Sequence, residues 1–251
     1  MKLARDTWLI FHRQMLLMAR TPVWIAIGLI QPLVYLLLFA PLLKQALGAT
    51  TYAQAYQVYI PGLLTALVLF GGLFAGFTFM AELRMGVVER FRVTPVSRLA
   101  LLLGRALRET VVLIVQAILI TLLALPFGLT VNLGGVLLAY VLLAMMALAA
   151  ASVSYGITLI IRADAALAPT INTISQPLAL LSGTLLPLAL APHWLRDGAN
   201  ANPFFWGVQG LRAMFADNLG APAIWQSLVV SAALLVVAVG WSARLFATRV
   251  Q

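Results

Sequence analysis

The chain has 251 residues, 63% of them hydrophobic and 9% charged, with a net charge of +9 and a mean hydropathy of +1.03. Soluble domains carry about a quarter charged residues, so the polar side chains here cannot cover a water-facing globule, and the solvent for most of the surface must be lipid. Cysteine is absent, which excludes disulfides, thiol nucleophiles and Cys-ligated metals.

Residues 1–21 mix Lys2, Arg5, Asp6, His12, Arg13 and Arg20 with apolar residues, and no apolar stretch there ends in a cleavage site, so the segment is not a signal peptide. On a helical wheel Trp8, Phe11, Met15 and Met18 share one face, while Lys2, Arg5, His12, Arg13 and Arg20 gather on the other and Leu9 and Leu16 intrude. This pattern predicts an amphipathic helix lying in a membrane interface. His12 has no partner at metal-ligand spacing.

Six apolar runs follow, at 22–43, 60–81, 110–125, 133–161, 167–190 and 224–246. At 1.5 Å per residue most are long enough to span. The third is short, but 99–103 lead into it at helical spacing; the fourth exceeds a span and predicts tilt. The fifth contains Pro169, Pro177 and Pro187, which a span tolerates when neighbouring helices satisfy the freed carbonyls. The predicted fold is one all-α membrane domain over 1–251, with six spans, the amphipathic helix at 1–21 and an external segment at 190–223. That external segment is too polar for a span, yet rich in Trp194, Phe204, Phe205, Trp206 and Phe215, which suit the interface.

With the N-terminus inside, thirteen Lys and Arg lie on the cytoplasmic side and three (Lys44, Arg196 and Arg212) outside. The positive-inside rule then places both termini in the cytoplasm. Every Asp and Glu falls at or beyond a predicted span end, which disfavours a proton-driven carrier with carboxylate relays. Within the spans, Gln31, Gln116, Asn172 and Gln176 either line a path or hydrogen-bond between helices. Gly72 and Gly76 form a small-xxx-small pair that predicts a packing face.

The densest charge lies at 82–109, with six Arg and three Glu. Glu82, Gly86 and Glu89 sit at helical spacing, and Thr94-Pro95 predicts a stop, with Pro95 in the first turn of a restarted helix. The run ELRMGVVERFRVTPVSRLALLLGR resembles the coupling-helix segment of ABC-2-type exporter permeases, with an acidic residue, G-x-x-E and a T-P turn before span three. A second likeness spans Leu181-Ser182-Gly183-Thr184-Leu185-Leu186-Pro187, Pro192-x-Trp194-Leu195, Asn202-Pro203 and Gly210-Leu211-Arg212. Both occur in order along nearly the whole chain, and the nearest subgroup is the daunorubicin-exporter type.

The resemblance implies an ATP-driven exporter in a bacterial or archaeal cell (inner) membrane, moving an amphipathic drug-like or lipid-like substrate; the alternative is export of a lipid-linked glycan or other lipid. It implies two permease subunits, the second identical, above two copies of a cytosolic ABC ATPase. Residues 82–98 would be the coupling segment, with Glu82, Arg84, Gly86, Glu89 and Arg90 as the coupling positions. Residues 190–223 would re-enter the membrane from outside. The only lysines, Lys2 and Lys44, follow no phosphate-binding loop. The chain is therefore expected to be no enzyme and to hold no cofactor, ATP and Mg belonging to the partner ATPase; no nucleic-acid partner is expected. An intramembrane enzyme would need an acid/base pair or activated nucleophile that two His and no Cys scarcely supply.

Overall fold

The computed structural model describes residues 2–20, 28–38, 51–86, 97–184 and 192–249, and among them every regular element is a helix. In chain order they are α1 (Lys2–Ala19), α2 (Gly28–Leu38), α3 (Tyr52–Arg84), α4 (Arg98–Ala124, extended by a 3₁₀ turn at Leu125–Phe127), α5 (Leu133–Ile161), α6 (Asp164–Ser182), α7 (His193–Asn200), α8 (Pro203–Phe215) and α9 (Pro222–Arg249).

Local chemistry sets the boundaries. Thr51, Ser97, Asn132 and Asn202 each accept a backbone N–H at the start of α3, α4, α5 and α8, satisfying donors that have no partner within the helix. Pro203 occupies the first turn of α8, where its missing N–H costs nothing. α6 stops at Gly183, at φ 69°, the left-handed position that glycine takes without strain.

Among the described residues, four helices are long and apolar enough to cross a bilayer: α3, α4 with its 3₁₀ turn, α5 and α9. Of the first expected span, only α2 is described. The fifth corresponds to α6, a helix of 19 residues with Pro169 and Pro177 inside it. Two starts differ from expectation. α3 begins at Tyr52 and runs on through Glu82 and Arg84, so those two side chains end a long helix and are not part of a separate short one. α4 begins at Arg98 on a Ser97 cap, beyond the turn of Pro95, which lies outside the described residues.

α3 is the axis of the bundle, 67% of its most apolar stretch being buried; the corresponding figure for α9 is 22%, which leaves Trp225, Val229, Val236 and Val237 facing outward. In lipid, apolar side chains gain nothing by leaving the solvent, so helices associate through close packing and hydrogen bonds. The α3–α5 crossing does both. A Cβ on Gly72 would come within 2.6 Å of the Ala150 Cβ. Gly76 N–H donates to Ser154 Oγ at 2.8 Å, and that hydroxyl donates in turn to the Leu73 carbonyl. The Gly72/Gly76 pair is thus the packing face its spacing suggests. Toward one end of the bundle, Phe79 stacks with Phe246 of α9 and meets Tyr155 of α5 edge-on, each with ring centroids 5.3 Å apart.

Candidate functional site

The end of the bundle where α3 stops collects most of its described charge. α1 packs along α4: a Cβ on Gly104 would lie 2.7 Å from the Ile10 Cγ2, so the glycine leaves the groove that Ile10 fills. One turn further along α1, Gln14 Nε2 donates to Glu82 Oε1 at 2.9 Å. Arg105 of α4 places Nη2 at 2.7 Å from Glu82 Oε2, a close ion pair not aligned as a hydrogen bond. The Arg105 guanidinium also stands 4.9 Å from the Phe79 ring centroid, within cation–π range. Arg108 pairs with its neighbour Glu109. Gln14, Thr78, Phe79, Glu82, Arg105, Arg108 and Tyr155 line one narrow crevice.

This node is built partly on the helix that runs on into the third expected span. Arg105, Arg108 and Glu109 all lie on α4 itself, and Arg105 is 3% exposed. The cause is pairing: Glu82 reaches Arg105 from α3, so a buried guanidinium is compensated where it would otherwise be expensive. Sequence reading missed Gln14, Arg105, Arg108, Glu109 and Asp164. An arginine flanked by Gly104 and Ala106 on an apolar helix face was the available signal.

Around the node, Arg84 Nη1 reaches Asp164 Oδ2 of α6 at 2.6 Å. Gly86, two residues past the end of α3, has φ 66°. Glu89 and Arg90 lie outside the described residues. Arg98 donates to the Ala247 carbonyl near the end of α9, so α1, the start of α4 and the end of α9 share one end of the bundle.

The other polar candidates are scattered. Gln116 is buried on α4, and a Cβ on Gly28 would lie 2.6 Å from its Nε2, which places the amide against α2. Gln31 Nε2 donates to Tyr35 Oη at 3.5 Å along α2. Asn172 and Gln176 share the exposed face of α6, opposite Leu167, Ile171 and Ser175.

The far end is held by the N-P…L-R stretch. Asn202 Nδ2 donates to the Leu178 carbonyl at 2.7 Å while its Oδ1 caps α8. Arg212 Nη2 donates to the Gly183 carbonyl at 2.9 Å. Both side chains satisfy carbonyls near the end of α6. Burial draws the Arg212 pKa down to about 10, which still leaves it a cation at neutral pH. Arg212→Gln is expected to lower stability by about 1–3 kcal/mol, read as a lower melting temperature in detergent.

Residues 5–216 match the ABC-2 type transporter family. The chain belongs to that family. Among its relatives, the transport permease ycf38 of Cyanophora paradoxa is 23% identical over 218 residues, covering 85% of this chain and 75% of that protein. The daunorubicin resistance ABC transporter permease protein DrrB1 of Streptomyces coeruleorubidus is 24% identical over 236 residues, covering 93% and 83%. This ABC-2 chain is therefore a multi-pass membrane transport component, and membership implies association with an ABC ATPase. Its apolar α3, α4, α5 and α9 are what such a component requires.

Proposed function

We propose that the chain is the permease subunit of an ATP-driven exporter that carries an amphipathic drug-like or lipid-like substrate outward across a bacterial or archaeal cell membrane. The observation that carries the reading is the charged node where α3 ends, set immediately before 87–96 on a chain of this family. A cytosolic ATPase docks on the coupling segment 82–98. Glu82, held by Arg105 inside the bundle, and Arg84, paired with Asp164 at its surface, lead into that segment, with Gly86 at φ 66° after them. Glu89 and Arg90 make the contact, with charges of both signs to fix its register.

On this reading the basic end of the bundle is cytoplasmic and α1 lies in that interface, with Trp8, Leu9, Leu16 and Leu17 exposed to lipid. Two identical permease chains pair above two ATPase chains. Residues 190–223 close the path from outside as re-entrant half-helices, a use of irregular backbone allowed where it lines a cavity. A lipid-facing helix would be apolar all round, so the amides of Asn172 and Gln176 on the exposed face of α6 suit a path or a partner chain, and Gln31 on α2 is assigned the same role. The relative named for daunorubicin resistance favours a drug-like substrate.

The reading is tested by co-purification of the chain with its cognate ATPase from detergent-solubilised membranes. Glu89→Arg places a cation where the partner expects an anion, and recovery of the ATPase is expected to fall severalfold. Undiminished recovery together with unchanged ATP-coupled export removes the coupling assignment.

A further inference from the structure

α3 runs for 33 residues, about 50 Å at 1.5 Å per residue. A bilayer with its headgroups is about 40–45 Å thick. The last turn of α3, which carries Arg84, therefore stands at headgroup depth. Phe74, Phe77, Ala81 and Met85 follow one another at helical spacing on one side of α3. Met85 is exposed, and Phe74 and Phe77 stack with ring centroids 5.5 Å apart and planes at 18°.

Between this side of α3 and the start of α6 lies a cavity of about 440 Å³, lined by Phe77, Met80, Ala81, Arg84, Met85 and Asp164. Its walls are apolar except for the Arg84–Asp164 pair, with Nη1 and Oδ2 2.6 Å apart and side chains 62% and 47% exposed. The order is that of a phospholipid. Charge lies at the end of the helix, and the aromatic pair begins seven residues before Arg84, about 10 Å deeper.

Acyl chains fill an apolar groove in a bilayer with little net gain, so selectivity falls to the charged pair. An anionic head would suit Arg84 and be repelled by Asp164, and a lone ammonium would do the reverse. A head carrying both charges answers both side chains. It exchanges one exposed ion pair, which adds little to stability, for two charge-assisted contacts. A primary ammonium also brings N–H donors to the carboxylate, which a trimethylated one lacks.

We propose that this crevice binds a membrane phospholipid with a phosphoethanolamine head, its ammonium on Asp164, its phosphate on Arg84 and its acyl chains along Phe77 and Phe74. The site goes beyond the permease reading and needs neither the ATPase nor the cargo.

The test titrates the full chain, delipidated in detergent, with dioleoyl phosphatidylethanolamine, phosphatidylcholine and phosphatidylglycerol, and counts bound lipid by native mass spectrometry. The ethanolamine lipid is expected to bind about fivefold more tightly than the other two, the upper end for an ion pair in contact with water. Asp164→Asn should bring the two zwitterionic lipids level and strengthen binding of the glycerol lipid, which then meets an unopposed Arg84. Arg84→Gln should weaken all three, since each carries a phosphate. Hexadecylamine, an ammonium without a phosphate, should bind more weakly than the ethanolamine lipid. Because the pair is exposed, both variants should melt with the unsubstituted protein.

The inference is overturned if the ethanolamine and choline lipids bind alike, or if Asp164→Asn leaves their ratio unchanged. It is equally overturned if hexadecylamine binds as tightly, which makes the crevice a site for amphipathic cations, or if Asp164→Asn lowers the melting temperature, which makes the pair structural. None of these outcomes bears on co-purification with the ATPase, by which the permease reading stands or falls.

Discussion

Replacing Glu82 by alanine is expected to destabilise the chain by about 3–5 kcal/mol, the cost of leaving a buried guanidinium without its counter-ion. Arg105 has 4% of its side chain exposed and Glu82 20%, so water can reach only one partner of the pair. The substitution also strands Gln14, which loses the carboxylate that accepts from it. Three helices meet at this one side chain, and the loss should be cooperative. It is read as a fall in melting temperature of the detergent-solubilised protein. Arg105→Leu in the Glu82→Leu background should recover much of the loss, because replacing both charges by apolar groups removes the unpaired ion. A melting temperature for Glu82→Ala within a degree of the unsubstituted protein would contradict the buried pairing.

Gly62→Ala is expected to cost about 3 kcal/mol, at the upper end for an overpacked interior. A Cβ at that position would lie 2.0 Å from the Thr184 carbonyl oxygen, and the neighbour is backbone that no rotamer change can clear. The helix end and the turn after Gly183 would have to move off α3 together, and Gly183 also carries the Arg212 bond. The contrast is Gly240→Ala on α9, where nothing lies within 4 Å of the added Cβ. There the same change is expected to stabilise by roughly 0.5–1 kcal/mol through helix propensity. Thermal unfolding of the two variants side by side separates close approach from generic glycine loss.

The contrast between these sites also shows where sequence reading succeeds. α5 keeps the predicted 133–161 bounds because Asn132 caps an unbroken apolar run and Arg162 ends it in a left-handed turn. α3 starts earlier than its apolar run because Tyr52, Gln54 and Gln57 lower the hydropathy of turns that are still helical, capped by Thr51. Gln57 is occupied across the bundle end by Thr130. Glu82 and Arg84 were legible as candidates, but their intrachain partners were not. Gln14 lies 68 residues from Glu82, and Asp164 is further still along the chain from Arg84. The burial of Arg105 is not legible because hydropathy weighs a residue alone, whereas a partner on another helix decides whether a guanidinium can be buried. Asn202 and Arg212 stand out as a motif, and only three-dimensional placement shows that each supplies a donor to the end of α6.

The seat of α1 bears on how the protein is made. Its groove is formed by Gly104, and the carboxylate that receives Gln14 belongs to Glu82. At ribosomal rates of about 5–20 residues per second, the 68 residues between Gln14 and Glu82 take roughly 3–14 s to synthesise. α1 is therefore synthesised before the site that receives it exists. It locks only after α3 and α4 have been inserted and paired. Docking of α1 is thus a late step in assembly, and an unfinished bundle would be marked by a loose, protease-accessible α1.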